Sequence, residues 1–274
     1  MKTILDDILR DVRTELESAR ACRPLAEIRR MIPDAVPPRA FDAALGRGFC
    51  LIAEVKERSP SVGPMRAENV ADALPAYEES SAVAAVSVLT NELHFGMGIE
   101  RLAAAKSQLS KPVLRKDFFL DEYQVREARA FGADAILLMA NVLDQARLQG
   151  FYDLTRELGM EALFEVHTAE ELELLPRDAK VVGINSRKFK TTSGFVGKSG
   201  ASDKDFSLDY SAFELADKLP SSAIKVAESG ISPSNLGTVR ERFNAVLVGT
   251  SLLRDPRGLR ACLGEFEEAM QTQV

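Results

Sequence analysis

The sequence predicts an α/β protein whose strands close into a (β/α)8 TIM barrel, preceded by a helical extension. Two observations predict it. Eight short apolar runs alternate with helix-period segments, and the first strand lacks the glycine-rich turn that opens a doubly wound nucleotide-binding sheet. An open doubly wound sheet would be expected to carry G-x-G-x-x-G after that strand. Here Lys56-Glu57-Arg58-Ser59-Pro60-Ser61 follows instead.

The elements follow in chain order. Residues 1–32 read as amphipathic helix, because Ile4, Ile8, Leu9, Val12 and Leu16 recur at three- and four-residue steps, and Leu25, Ile28 and Ile32 continue past Pro24. A proline-rich connector runs from Pro33 to Pro38, and a short helical piece spans Phe41–Leu45. The strand candidates are Phe49–Val55, Val83–Leu89, Pro112–Arg115, Ala133–Leu138, Ala162–Val166, Val181–Asn185, Ile224–Ala227 and Ala245–Val248. Continuous apolar runs of this length suit a parallel sheet covered on both faces. Helix-period segments fall between them at Asp121–Phe131, Leu143–Leu158, Thr168–Leu175 and Ser211–Lys218. The expected organisation is a 1–46 extension packed on a 47–274 barrel, with an inserted loop near 191–206. That insertion is rich in Gly, Ser and Thr and is expected to be mobile. Its Gly197-Lys198-Ser199 is no P-loop, because Thr192 stands where the first glycine belongs and no strand runs into it.

Composition narrows the function classes. The chain has 274 residues and a net charge of −6, which disfavours a general nucleic-acid binder. No apolar run is long enough to span a bilayer, and the charged opening MKTILDDILRDVRTELESAR has no signal-peptide core, so a cytoplasmic protein off the membrane is expected. Cys22, Cys50 and Cys262 read as reduced structural thiols. With two histidines and no ligand-spaced cysteine pair, no metal site is expected.

In a barrel the chemistry sits at the carboxyl ends of the strands. Those ends carry Glu54 and Lys56, Lys116, Glu165 and His167, Asn185 and Arg187, and Glu228. So many ionisable groups around one rim are costly unless paired, and their pairing suits general acid–base chemistry. Neither His167 nor His94 shows an obvious partner in the sequence. After the seventh and eighth strands, Ser229-Gly230-Ile231-Ser232 and Gly249-Thr250-Ser251 supply small residues, hydroxyls and accessible backbone N–H groups, and Ser59 adds a donor. That corner suits a phosphate. The residues alone therefore indicate a barrel enzyme acting on a small phosphorylated molecule.

At these positions the chain resembles the indole-3-glycerol-phosphate synthase family. The resemblance is carried by Ile52-Ala53-Glu54-Val55-Lys56 with Ser59-Pro60-Ser61, Val88-Leu89-Thr90 with Phe95-Gly96, and Leu114-Arg115-Lys116-Asp117-Phe118. It continues through Glu165-Val166-His167, Gly183-Ile184-Asn185, Ala227-Glu228-Ser229-Gly230-Ile231 and Val248-Gly249-Thr250-Ser251. It covers nearly the whole chain and implies a lyase of tryptophan biosynthesis that needs no cofactor. Such an enzyme closes a carboxyphenylamino deoxyribulose phosphate into indole-3-glycerol phosphate, losing CO2 and water.

By resemblance, Lys116 is the general acid on the substrate ketone. Glu165 and Lys56 serve the dehydration, with Glu54 positioning or sharing protons. Asn185 and Glu228 hold substrate hydroxyls, and Arg187 pairs with the carboxylate or a catalytic glutamate. Ser59, Ser229, Gly230, Gly249 and Ser251 receive the phosphate, and Phe95, Phe118 and Leu137 enclose the anthranilate ring. A monomer or homodimer is expected, associating with other enzymes of the tryptophan pathway.

The chain departs from the family at two places. Where the family usually reads Asn-Asn-Arg and then a short acidic turn, this chain has Asn185-Ser186-Arg187-Lys188-Phe189-Lys190 followed by about a dozen extra residues. Val62 stands where a lysine is frequent. These departures leave room for a paralogue on a related aryl-amino sugar phosphate. An isomerase of the same pathway would want a Cys/Asp pair. A non-catalytic partner protein would be expected to have lost lysines or glutamates from the rim, yet Glu54, Lys56, Lys116 and Glu165 are all present.

Overall fold

The computed structural model describes residues 4–187 and 207–271. Eight parallel strands close on themselves: β1 (Cys50–Val55), β2 (Val83–Leu89), β3 (Val113–Lys116), β4 (Ala135–Met139), β5 (Glu161–Val166), β6 (Val181–Asn185), β7 (Ile224–Glu228) and β8 (Ala245–Val248). Each pairs with the next, and β8 returns to β1 through Cys50–Ala245, Ile52–Leu247 and Ala53–Val248. This is the (β/α)8 barrel the alternation predicts. Strand bounds differ from the sequence reading by a residue or two, as expected where apolar runs continue past the last ladder bond.

Period-two alternation sorts every strand into two faces. On β1, Leu51, Ala53 and Val55 face outward into a core shared with the helices, whereas Ile52 joins an inner core with Ala85, Leu114, Leu137, Leu163, Val226 and Leu247. Both layers are buried, which explains why the strands read as continuous apolar runs rather than as alternating ones.

The helix expected over 1–32 is broken in two, α1 (Ile4–Cys22) and α2 (Leu25–Met31). Pro24 lacks an N–H and disfavours helical geometry at the residue before it, so the chain restarts there. Helix α1 buries Leu5, Ile8 and Val12 in the inner core. The short α3 (Phe41–Leu45) fully buries Phe41 and Leu45 at the strand starts, beneath the barrel. Between α2 and α3 the connector is tied down by Asp134, which is buried and accepts from the Arg39 and Val113 amides (2.5 and 2.7 Å) and the Lys106 ammonium (2.5 Å).

Two other expectations are corrected. The segment 211–218 forms a 3-10 helix, Tyr210–Lys218, rather than an α-helix, and the helix expected over 168–175 shortens to Ala169–Leu172 behind a Thr168 cap. The loop expected near 191–206 lies outside the described residues. Its two stems meet in an antiparallel bridge between Arg187 and Leu208.

Candidate active site

The inward positions at the carboxyl ends of the strands converge on one cavity of about 360 Å³. That is within the range of small-molecule sites. All fifteen residues singled out from the sequence line it: Glu54, Lys56, Ser59, Phe95, Lys116, Phe118, Leu137, Glu165, Asn185, Arg187, Glu228, Ser229, Gly230, Gly249 and Ser251. Register explains the convergence. Glu165 lies beside Gly183 across β5–β6, and Asn185 beside Glu228 across β6–β7.

Charge is concentrated on the floor. The Lys116 ammonium lies 3.5 Å from Glu165 Oε2 and 3.9 Å from Glu228 Oε2, while Lys56 donates to Glu54 Oε1 at 2.5 Å. Burial disfavours the Lys116 charge, but Glu165, Glu228 and Glu54 outweigh it and raise its pKa, so Lys116 stays cationic. Burial also opposes ionisation of Glu165, yet Lys116 and then His167 hold its carboxyl below the usual range. Glu228 goes the other way. Burial, then the neighbouring Glu165 charge, push it well above the ordinary carboxylate value. Two carboxyls of the same type thus sit side by side with their proton affinities pushed apart. Glu54 is buried but held ionised by Lys56 and Lys116. Burial lowers the Arg187 guanidinium from its usual value, against Glu54 and Glu165, and it remains charged.

Two glycines make room for this floor. A methyl on Gly183 would run into Glu228 Oε1, and one on Gly249 into Glu54. Gly183→Ala is therefore expected to displace the Glu228 carboxyl and lower kcat by about 10²-fold while the fold persists, because misplacing a catalytic group by ~1 Å has that cost. Steady-state kinetics beside a melting curve check it.

The wall and the corner differ from the floor. Phe118 and Leu137 are buried and Phe95 half-buried, forming an apolar side. At the opposite corner, Ser229 (φ 69°) and Gly230 (φ 71°) are consecutive left-handed residues. A non-glycine there is uncommon and strained, a mark of functional turns. The Ser251 hydroxyl donates to the Ile231 carbonyl at 2.6 Å, so it ties the two corner loops together. Ser59 Oγ pairs with Ser61 Oγ at 2.8 Å.

Sequence reasoning missed several lining residues: Ile8 from α1, and Leu208 and Tyr210 beyond the loop stem. No local signal marks Ile8, because its spacing is that of any amphipathic helix. Tyr210 stands directly before a segment with helical spacing, and nothing in that spacing places its ring near a glycine-rich turn. The histidines have partners that the sequence conceals. His94 Nε2 lies 3.1 Å from Asp11, and His167 lies between Glu165 (3.5 Å) and Glu171 (3.3 Å).

A family model described as "Indole-3-glycerol phosphate synthase" matches residues 5–261. A curated protein of that name from Kineococcus radiotolerans is 40% identical over 93% of this chain and 92% of its own length, and one from Mycobacterium leprae is 40% identical over 95% and 93%. The chain belongs to the indole-3-glycerol phosphate synthase family. Members of that family are decarboxylating lyases of tryptophan biosynthesis, and the chain is an enzyme of this class.

Solved structures share the fold at low identity. A 3-hexulose-6-phosphate synthase from Salmonella typhimurium aligns with TM-score 0.59 at 12% identity, covering 81% of this chain and 98% of its own. An N-(5'-phosphoribosyl)anthranilate isomerase from Pyrococcus furiosus aligns at 0.53 and 13%, covering 81% and 98%. Cys50 begins its strand, β1, rather than ending it. It sits away from the cavity, and burial pushes its thiol up to about 12. It cannot supply the thiolate side of an isomerase Cys/Asp pair. Among the described residues no helix is long and apolar enough to cross a membrane.

Proposed function

We propose that this cavity closes 1-(2-carboxyphenylamino)-1-deoxyribulose 5-phosphate to indole-3-glycerol phosphate with Lys116 as the general acid. The observation that carries the assignment is the Lys116 ammonium held 3.5 Å from Glu165 and 3.9 Å from Glu228, two buried carboxyls whose proton affinities are pushed in opposite directions. The ring carbon bearing the carboxylate attacks the substrate ketone, and Lys116 protonates the ketone oxygen as the C–C bond forms. The C–CO2 bond then breaks, and its electron pair restores the aromatic ring. Glu165 takes a proton from the adjacent CH2 while Lys56 protonates the departing hydroxyl, which leaves as water. Glu54 holds Lys56 in place at 2.5 Å. Asn185 and Glu228 bind substrate hydroxyls, and Arg187 pairs with the carboxylate until CO2 leaves. Phe95, Phe118 and Leu137 enclose the aromatic ring, opposite a phosphate corner of Ser59, Ser229, Gly230, Gly249 and Ser251.

The working unit in this reading is a 47–274 barrel with the 1–46 extension packed on it. The three free thiols support a cytoplasmic enzyme, acting as a monomer or homodimer beside other enzymes of the pathway.

The test is kcat/KM against pH, followed by indole fluorescence, because that ratio reports ionisations of the free enzyme. Glu165 is lowered from 4.5 and must be ionised to act as the base, so the acid limb is expected below pH 4.5. Glu228 is raised and donates only while it keeps its proton, so the alkaline limb is expected to report its loss. Glu228→Gln keeps a neutral donor and is expected to remove that limb. No product from folded protein would overturn the activity, and an unmoved alkaline limb would overturn the role of Glu228.

A further inference from the structure

The turn after β7 shows an arrangement that the phosphate assignment does not by itself require. Three consecutive backbone carbonyls each accept a side-chain donor from a different part of the chain. Ser186 Oγ donates to the Ser229 carbonyl at 3.0 Å. Tyr210 Oη and Asn235 Nδ2 both donate to the Gly230 carbonyl, at 3.0 and 2.8 Å. Ser251 Oγ donates to the Ile231 carbonyl at 2.6 Å.

We propose that Ser186, Tyr210 and Asn235 are positioning residues that hold the Ser229–Ile231 turn with its amides toward the substrate phosphate. This rests on reading that corner as the phosphate subsite.

The argument is geometric. A trans peptide is planar, so each carbonyl and the following N–H point in opposite directions. Fixing the carbonyls of Ser229 and Gly230 therefore also fixes the N–H groups of Gly230 and Ile231. Neither Ser186 nor Asn235 lines the cavity, whereas Ser229, Gly230 and Ile231 do. Ser186 thus draws the Ser229 carbonyl, and Asn235 the Gly230 carbonyl, toward groups outside the cavity, while Tyr210, which does line it, shares the Gly230 carbonyl. In the proposed arrangement the opposed amides face the phosphate, as in the backbone concavities that bind anions.

The turn also needs holding. Ser229 at φ 69° occupies a left-handed conformation costly for a residue with a side chain. The next residue is confined as well. A methyl on Gly230 would lie 2.7 Å from Tyr210 Oη and 2.8 Å from Leu208 Cδ1, so the chain returning from the loop stem packs directly on this turn. The Arg187–Leu208 bridge brings Leu208 and Tyr210 there, and Ser186 immediately precedes that bridge. The two stems of the insertion therefore supply two of the three positioning donors.

A group that positions amides for the phosphate acts on binding and not on the ring chemistry. Ser186→Ala is expected to raise KM about fivefold to tenfold, the size of effect for one lost hydrogen bond. Tyr210→Phe, which leaves Asn235 on the same carbonyl, is expected to raise KM about twofold to fourfold. In both variants kcat stays within about twofold, because the lost interaction is felt equally in the ground and transition states.

The probe is inorganic phosphate as a competitive inhibitor. Its inhibition constant is expected to rise in step with KM in each variant. If phosphate competes in the wild type but both variants keep their inhibition constants and KM, the positioning role is overturned while the phosphate corner stands. If phosphate does not compete in the wild type, the corner reading fails and the positioning role falls with it. A fall in kcat at unchanged KM also overturns the proposal, since it would place these groups in the chemistry. Ser186 is buried and its variant can fail to fold. Tyr210 is exposed, and its variant then decides the question alone.

Discussion

Lys116→Met is expected to lower kcat by about 10²- to 10⁴-fold, the usual worth of a general acid, with the protein still folded. Methionine keeps much of the side-chain volume and removes the ammonium that lies against both Glu165 and Glu228. The barrel survives because the loss can be absorbed by protonation. Glu165 owes its lowered pKa first to Lys116, so without it that carboxyl takes up a proton more readily rather than remain a buried charge, whereas Glu54 keeps Lys56 beside it. The same variant should therefore move the acid limb of any residual activity to higher pH. Indole fluorescence measures the turnover, and circular dichroism on heating checks the fold. Near-full activity would remove Lys116 from the mechanism.

Arg115→Leu is expected to cost about 3–5 kcal/mol of stability, the penalty for breaking a buried charge cluster by removing one partner. Arg115 is the residue before Lys116, so it faces outward from the barrel and lies beneath the helix Glu122–Ala130. It is 3% exposed and spans Asp117 Oδ2 and Glu127 Oε2, both at 3.0 Å, while also donating to Thr90 Oγ1 and the Gln124 carbonyl at 3.0 Å. Leucine leaves two buried carboxylates without a countercharge. For a chain of this size the melting temperature should fall by roughly 10 °C. Arg115→Lys should recover only part of this, because a single ammonium cannot reach four partners spread around a planar fork. Chemical denaturation decides the matter, and a variant as stable as the wild type would show that the cluster is not stabilising.

Much of the fold and site was legible because both follow from local rules. Glu54 and Lys56 are two apart, so they share a face of β1 whatever surrounds them, and the same holds for Lys116 with Phe118. Barrel closure brings all strand ends to one rim, so naming the strands named most of the site. Ile8, Leu208 and Tyr210 were not legible. They reach the cavity from α1 and from beyond the loop stem, and nothing in their neighbours' spacing records that approach. Pro24 was visible, but the pattern on its two sides was the same, and only the backbone shows two helices.

By itself, the sequence determined the (β/α)8 class, the strand ends that carry charge, and the family to which those ends belong. Periodicity and residue type are properties of the chain, and they survive without coordinates. Tertiary structure alone decided the protonation of the site. Glu165 and Glu228 are the same residue type at equivalent strand ends, yet one is held below its usual range and the other is pushed well above it. Each pKa is set by how much water is excluded and which charge lies within a few ångströms, and those quantities come into being only when the barrel closes.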